Sequence, residues 1–125
     1  MHETIAAAYQ RWSDGDVEGF LALFPEDAVF VVPGRTRVSG QHDKASFRGV
    51  LEHVVAVTRA GRYRSELVTS YDAEGGSMYV FDNVVIVDGV EKTYHSVHEW
   101  TLRDGTPCVW TLYIREYDLF SQVWA

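Results

Sequence analysis

The sequence predicts a single α+β domain over residues 1–125, a curved antiparallel sheet wrapped around a long helix with an internal pocket. Two observations carry this reading. Apolar residues recur at helical spacing through the first half of the chain, and the period changes to two from Arg62 onward. In the second half, Glu74-Gly75-Gly76, Asp88-Gly89 and Asp104-Gly105 divide the chain into four stretches of strand length. Helices first and a meander of long strands afterwards is an α+β order.

Taken in order, Glu3 to Ser13 places Ile5, Ala8, Tyr9 and Trp12 on one helical face. Asp14-Gly15-Asp16 breaks that helix, and Asp16 is placed to cap a second, short one carrying Phe20, Leu21 and Phe24 before Pro25. Ala28 to Val32 reads as a short strand closed by Pro33-Gly34. A third helix follows Gly40, with Asp43 as N-cap, a buried stripe of Phe47, Val50, Leu51, Val54 and Val57, and Gly61 as its stop. The four strands are predicted over Arg62–Tyr71, Ser77–Val87, Glu91–Leu102 and Thr106–Asp118, with Leu119 to Ala125 a short tail that has room for one helical turn.

Composition narrows the partners. A formal charge of −7 offers no basic face for phosphate and argues against nucleic acid and anionic membrane surfaces. No apolar run reaches spanning length and the N-terminus does not read as a signal peptide, so a cytoplasmic protein is expected. The one cysteine, Cys108, excludes an internal disulfide and a cysteine metal site, and its place in the last strand predicts a buried, inert thiol. His2, His42 and His53 show no metal-ligand spacing, and neither a Gly-rich phosphate loop nor a nucleotide fingerprint is present; no metal and no cofactor are expected. Four Trp, seven Tyr and six Phe can build both a core and the wall of a cavity for a small apolar ligand.

The last hairpin decides which polar groups reach that cavity. In Glu91–Leu102 the even positions Tyr94, Ser96, His98, Trp100 and Leu102 form the more apolar row; in Thr106–Asp118 the even row is Cys108, Trp110, Leu112, Ile114 and Glu116. Both rows share one face only if even residues lie opposite even. A strict two-residue Asp104-Gly105 turn sets even against odd, so a three-residue loop with Gly105 in the left-handed conformation is expected. His98 and Glu116 then both point inward. The opposite row, His95 and Glu99 with Val97, Thr111, Tyr113, Arg115 and Tyr117, faces outward and suits a homodimer contact through the outer face of the sheet.

The order of elements, with Y-Q-R-W-S-D-G-D-V-E-G-F-L-A-L-F-P-E-D-A-V-F-V-V-P-G, the S-G of Ser39-Gly40 and the closing I-R-E-Y-D-L-F, resembles the nuclear transport factor 2-like superfamily. Within it, the SnoaL-like polyketide cyclases and ketosteroid isomerases are the nearest. The resemblance implies a cystatin-like cone with a deep pocket, and dimers through the sheet. It implies less about chemistry, because this superfamily hosts many functions. The aspartate base of ketosteroid isomerases falls on Val32, their tyrosine donor on Ala8 beside Tyr9, and their aspartic acid donor on His98. The Tyr and Asn of limonene epoxide hydrolases fall at Phe30 and Val32. SnoaL-like cyclases use an acidic residue and a histidine from late strands, roles open to Glu116 and His98.

The functional expectation is therefore a cofactor-independent SnoaL-like cyclase or isomerase acting by acid–base chemistry on a small apolar, polyketide-like substrate. His98 moves the proton and Glu116 orients it or takes the second step. Tyr9, Trp12, Phe30, Val32, Phe81, Asn83 and Trp100 are expected in the substrate-binding wall, with Asn83 able to donate to a carbonyl oxygen. A non-catalytic small-molecule-binding domain, and an epoxide hydrolase or epoxide-opening cyclase using the same pair, are the alternatives.

Overall fold

The fold was obtained as a computed structural model, which describes residues 2–125. Its elements are α1 (Glu3–Asp14), α2 (Val17–Leu21), β1 (Val29–Val32), β2 (Gly40–His42), α3 (Lys44–Arg59), β3 (Tyr63–Ala73), β4 (Gly76–Val87), β5 (Val90–Arg103), β6 (Thr106–Ile114) and α4 (Tyr117–Trp124). The strands form one sheet in the order β2-β1-β6-β5-β4-β3, antiparallel except where β1 runs parallel to β6. This is the expected α+β cone of cystatin-like type, with β2 added at the edge beyond β1.

Local chemistry sets the helix ends. Asp16 Oδ1 accepts from Gly19 N at 2.9 Å and Asp43 Oδ1 from Ser46 N at 2.8 Å, so each carboxylate satisfies one of the amides that a helix start leaves unpaired. Gly15 ends α1 at φ 70°, in the left-handed region that favours glycine. The α3 stripe of Phe47, Val50, Leu51, Val54 and Val57 is buried and forms one core with the inward rows of the sheet. Its centre is aromatic. Phe30 on β1 stacks on Phe47 with ring centroids 4.2 Å apart and planes within 7° of parallel, and Phe24 meets Phe30 edge-on at 4.8 Å.

The last hairpin keeps the expected facing by a different device. Asp104 and Gly105, at φ 52° and 79°, make a two-residue turn that pairs Arg103 with Thr106. The parity is restored further along: Leu102 pairs with Pro107 and Thr101 with Val109, leaving Cys108 as the extra residue of a β-bulge. Trp100 then lies opposite Trp110 and His98 opposite Leu112, even against even. Cys108 is therefore not in the inward row; it is half-buried, with Sγ 3.4 Å from the Thr101 carbonyl oxygen.

The larger departure is at the end of β6. The strand stops at Ile114 rather than running to Asp118, and the helical turn allowed for the tail is an eight-residue helix, α4, that starts earlier, at Tyr117. Phe120 and Trp124, four apart and 2% and 3% exposed, share the buried face of this helix. The segment is tied down by Tyr117, whose hydroxyl accepts from Arg35 N at 2.8 Å over Gly34. Any side chain at Gly34, already at φ 88°, would collide with the Tyr117 ring. Tyr117 is thus not part of the outer sheet face where it was expected. No helix among the described residues is long and apolar enough to cross a membrane.

Phe47→Ala should destabilise the fold by about 3–5 kcal/mol in denaturant unfolding, as expected for deleting a fully buried aromatic ring. A loss below about 1 kcal/mol would mean that the Phe30–Phe47 stack does not anchor the core.

Candidate functional site

The concave face of the sheet and the helices enclose a cavity of about 450 Å³. Its walls come from Tyr9 and Trp12 of α1, Leu51 and Val54 of α3, and Phe81 and His98 of the sheet. Its mouth lies where α1 gives way to α2, beside Arg59 and the start of β3. A smaller cavity of about 40 Å³ lies towards α4, against Val32, Asn83, Trp110 and Trp124. Trp12, Val54, Tyr63 and His98 belong to both walls, so His98 stands where the two spaces meet. A volume near 450 Å³ falls in the range of small-molecule sites.

His98 is 5% exposed and sits among rings: Phe81 at 4.5 Å, Trp110 at 5.0 Å edge-on, and Tyr9 at 5.9 Å nearly parallel. Burial among apolar groups disfavours the charged imidazolium and lowers its pKa to about 3. It is therefore neutral throughout the physiological range. Its Nδ1 lies 2.9 Å from the Tyr9 hydroxyl, which also accepts from Trp100 Nε1 at 2.9 Å. Burial pushes the Tyr9 hydroxyl well above its ordinary acidity range against the opposing effect of the Trp100 bond, so the phenol stays protonated. Among the described residues nothing bonds His98 Nε2, and it is not sealed from the cavities.

Glu116 is elsewhere. With β6 ended at Ile114, it occupies the N-cap position of α4 outside the cone. One carboxylate oxygen accepts from His95 N at 2.7 Å and the other lies 2.7 Å from His95 Nδ1, while Asp82 approaches His95 Nε2 at 3.4 Å. Burial raises the Glu116 pKa, but the His95 amide and ring outweigh it and hold the carboxyl below its usual range. The expected His98–Glu116 dyad is not assembled. His95, expected on the outward face with Glu99, is on that face and is the histidine that meets Glu116.

The remaining expectations divide. Tyr9, Trp12 and Phe81 line the larger cavity, and Val32 and Asn83 the smaller one. Phe30 and Trp100 reach neither: Phe30 is fully buried against Phe24 and Phe47, and Trp100 stacks on Phe24 at 5.7 Å. Asn83 has no spare donor for a ligand. Its Oδ1 accepts from Tyr63 at 3.1 Å and Ser65 at 2.9 Å, and its Nδ2 donates to the Tyr94 carbonyl at 3.2 Å and to Ser96 at 2.8 Å. Tyr63 and Ser65 of β3 and Arg59 of α3 also border the larger cavity and were not singled out from the sequence. The carboxylates of that lining, Asp14 and Asp16, are at its mouth; Asp16 is already bonded to Gly19 N and paired with Arg11 at 3.6 Å. Among the described residues no group of three His, Cys, Asp or Glu side chains gathers to hold a metal ion.

Such a cone, with an apolar interior and its polar groups supplied by the sheet, defines a class. Residues 5–108 match the SnoaL-like domain family, and the chain belongs to it, within the nuclear transport factor 2-like superfamily. Among solved structures it is similar to Bal32a from a soil-derived mobile gene cassette, at 18% identity over 98% of this chain and 95% of that one, with a TM-score of 0.83. TerC, co-crystallised with polyporic acid, is 22% identical over 98% and 97% of the two chains, with a TM-score of 0.77. A Xanthomonas campestris protein provisionally assigned to the polyketide cyclases is 19% identical over 96% and 93%, with a TM-score of 0.67. At these identities the likeness is one of fold. No curated protein matches the sequence.

Two outcomes follow from this geometry. Because the folded His98 pKa lies below its unfolded value, the unfolded chain binds a proton that the folded chain does not. Stability should therefore fall as pH drops from about 6.5 towards 3, with a contribution from His98 of about 1.4 kcal/mol per pH unit. Subtracting the pH-dependent unfolding energies of His98→Gln from those of the parent should isolate that slope, and identical slopes would show that His98 titrates normally. Glu116→Ala should cost about 1 kcal/mol through its lost bonds to His95, while leaving ligand affinity unchanged. A large loss of affinity would put Glu116 back in the site.

Proposed function

We propose that the protein holds a small, largely apolar molecule in the larger cavity, with His98 as the polar anchor at its depth. The observation that carries this reading is a neutral, buried imidazole with Nε2 uncommitted in an aromatic cavity whose carboxylates are confined to the mouth. That TerC, of the same fold, was co-crystallised with polyporic acid supports a protein of this fold taking a small organic molecule.

A SnoaL-like cyclase or isomerase is the second reading, favoured by the family and by the provisional polyketide cyclase of Xanthomonas campestris. It would place a polyketide-like carbonyl against the same His98. With Glu116 turned outward and Val32 where the resemblance puts the base of ketosteroid isomerases, the carboxylates that line the larger cavity among the described residues are Asp14 and Asp16 at its mouth. An epoxide-opening enzyme loses the same partner. Binding without turnover therefore takes precedence.

The outer sheet face supports a homodimer as the assembly. Tyr113 and Met78, 50% and 43% exposed, lie on that face with Val97 and Val80 between them in the ladder. A face of this kind suits a second copy of the chain.

Binding is tested by titrating the protein with polyporic acid and with 2-acetylnaphthalene, following tryptophan emission from Trp12 in the wall. Saturable quenching is expected, weakened about tenfold or more in Val55→Trp, which narrows the mouth beside Gly15. Unchanged affinity in that variant would move the ligand out of the cavity, and turnover of a cyclisable ketone would promote the second reading. Sedimentation should give a dimer that Tyr113→Glu converts to monomer; a parent monomer at high concentration would reject the assembly.

A further inference from the structure

We infer that the cavity selects a ligand bearing a hydrogen-bond-accepting oxygen, such as an aryl ketone or quinone, because Trp100 and Tyr9 fix His98 as a donor from Nε2. The inference rests on the cavity-binding reading and gives it a chemical class.

The argument starts at Trp100. An indole nitrogen donates and never accepts, so the 2.9 Å contact from Trp100 Nε1 has one direction, towards the Tyr9 hydroxyl oxygen. Tyr9 has one hydroxyl proton, and its other contact is His98 Nδ1 at 2.9 Å. Two arrangements are conceivable. If Nδ1–H donated to Tyr9, the phenol oxygen would take both protons and its own buried hydroxyl proton would find no acceptor among the described residues. If Tyr9 O–H donates to Nδ1, every proton along Trp100–Tyr9–His98 is used. The second arrangement avoids an unmade buried bond, which costs about 1–3 kcal/mol.

With Nδ1 accepting, the single proton of the neutral ring is on Nε2, the nitrogen that no group among the described residues engages. The cavity is thereby given a fixed donor in a low-dielectric wall of aromatic rings. Such a donor holds a carbonyl oxygen and stabilises negative charge on it. It offers no lone pair to a ligand hydroxyl or amine proton. Trp100 and Tyr9 act here as positioning residues, since Trp100 lines neither cavity and works only through Tyr9.

The direct test is the ring tautomer in the uniformly ¹⁵N-labelled parent at pH 7, read from long-range proton–nitrogen correlations, with His98→Gln used to assign the signals. A protonated Nε2 and a bare Nδ1 are expected; the reverse overturns the inference and needs no folded variant. The ligand arm compares 2-acetylnaphthalene with its hydrocarbon isostere 2-isopropenylnaphthalene. The ketone should bind about tenfold tighter, the worth of one net hydrogen bond. In Tyr9→Phe that preference should shrink towards parity through loss of ketone affinity, with the hydrocarbon little affected. Equal binding of the two compounds to the parent leaves cavity binding standing and overturns the acceptor selection. Failure of both to bind overturns the cavity-binding reading and the ligand class together.

Discussion

The site depends on the pairing register between β5 and β6. Side chains alternate along a strand, so a slip of one residue would send Tyr94, Ser96, His98 and Trp100 to the outer face and bring His95, Val97 and Glu99 inside. The Asp104-Gly105 turn alone would produce a mismatch between the two apolar rows, because Arg103 pairs with Thr106. The single unpaired residue Cys108 corrects it, and from Val109 onward each inward residue of β6 faces an inward residue of β5. A half-buried cysteine is thus the spacer that turns His98 towards the cavities.

This also explains how far the sequence could be read. The apolar rows of the hairpin were visible, and their demand for even-to-even pairing was enough to place His98 inward. What periodicity could not supply was where the extra residue sits, since a bulge in the loop and a bulge at Cys108 give the same parity from Val109 onward. Glu116 shows the opposite failure. The period-two reading carries the strand through Arg115 to Asp118, past its end at Ile114. Phe120 and Trp124 do not arbitrate, because residues four apart share a face in a strand and in a helix alike. A carboxylate at the junction of strand and helix has its direction set by the backbone turn there, at φ −97° and ψ 75°, which alternation does not reveal.

The polar groups inside the cone are of two kinds, and the difference is a matter of counting bonds. Asn83 has two bonds accepted and two donated, and it knits β3, β4 and β5 together through Tyr63, Ser65, Tyr94 and Ser96. Buried amides in that condition hold a fold together. From the sequence alone Asn83 and His98 looked alike, polar residues in inward rows. Only their partners distinguish them: Asn83 has none to spare, and His98 is held by one nitrogen while the other is left open.

The depressed pKa of His98 bears on chemistry as much as on stability. An imidazole protonated only near pH 3 is a weak base towards a carbon-bound proton, and a carboxylate close by would have raised it by stabilising the cation. Moving Glu116 out to His95 therefore does more than remove a partner; it leaves His98 neutral by default. A neutral ring fixed by Tyr9 cannot readily shuttle protons, but it can polarise an oxygen without needing to be charged or recharged. The same aromatic burial that makes the ring a poor proton carrier strengthens any hydrogen bond it gives, because few water molecules compete for it. In this chain the SnoaL-like fold holds at its centre a neutral, buried imidazole with one nitrogen tied to Tyr9 and the other open towards the cavities.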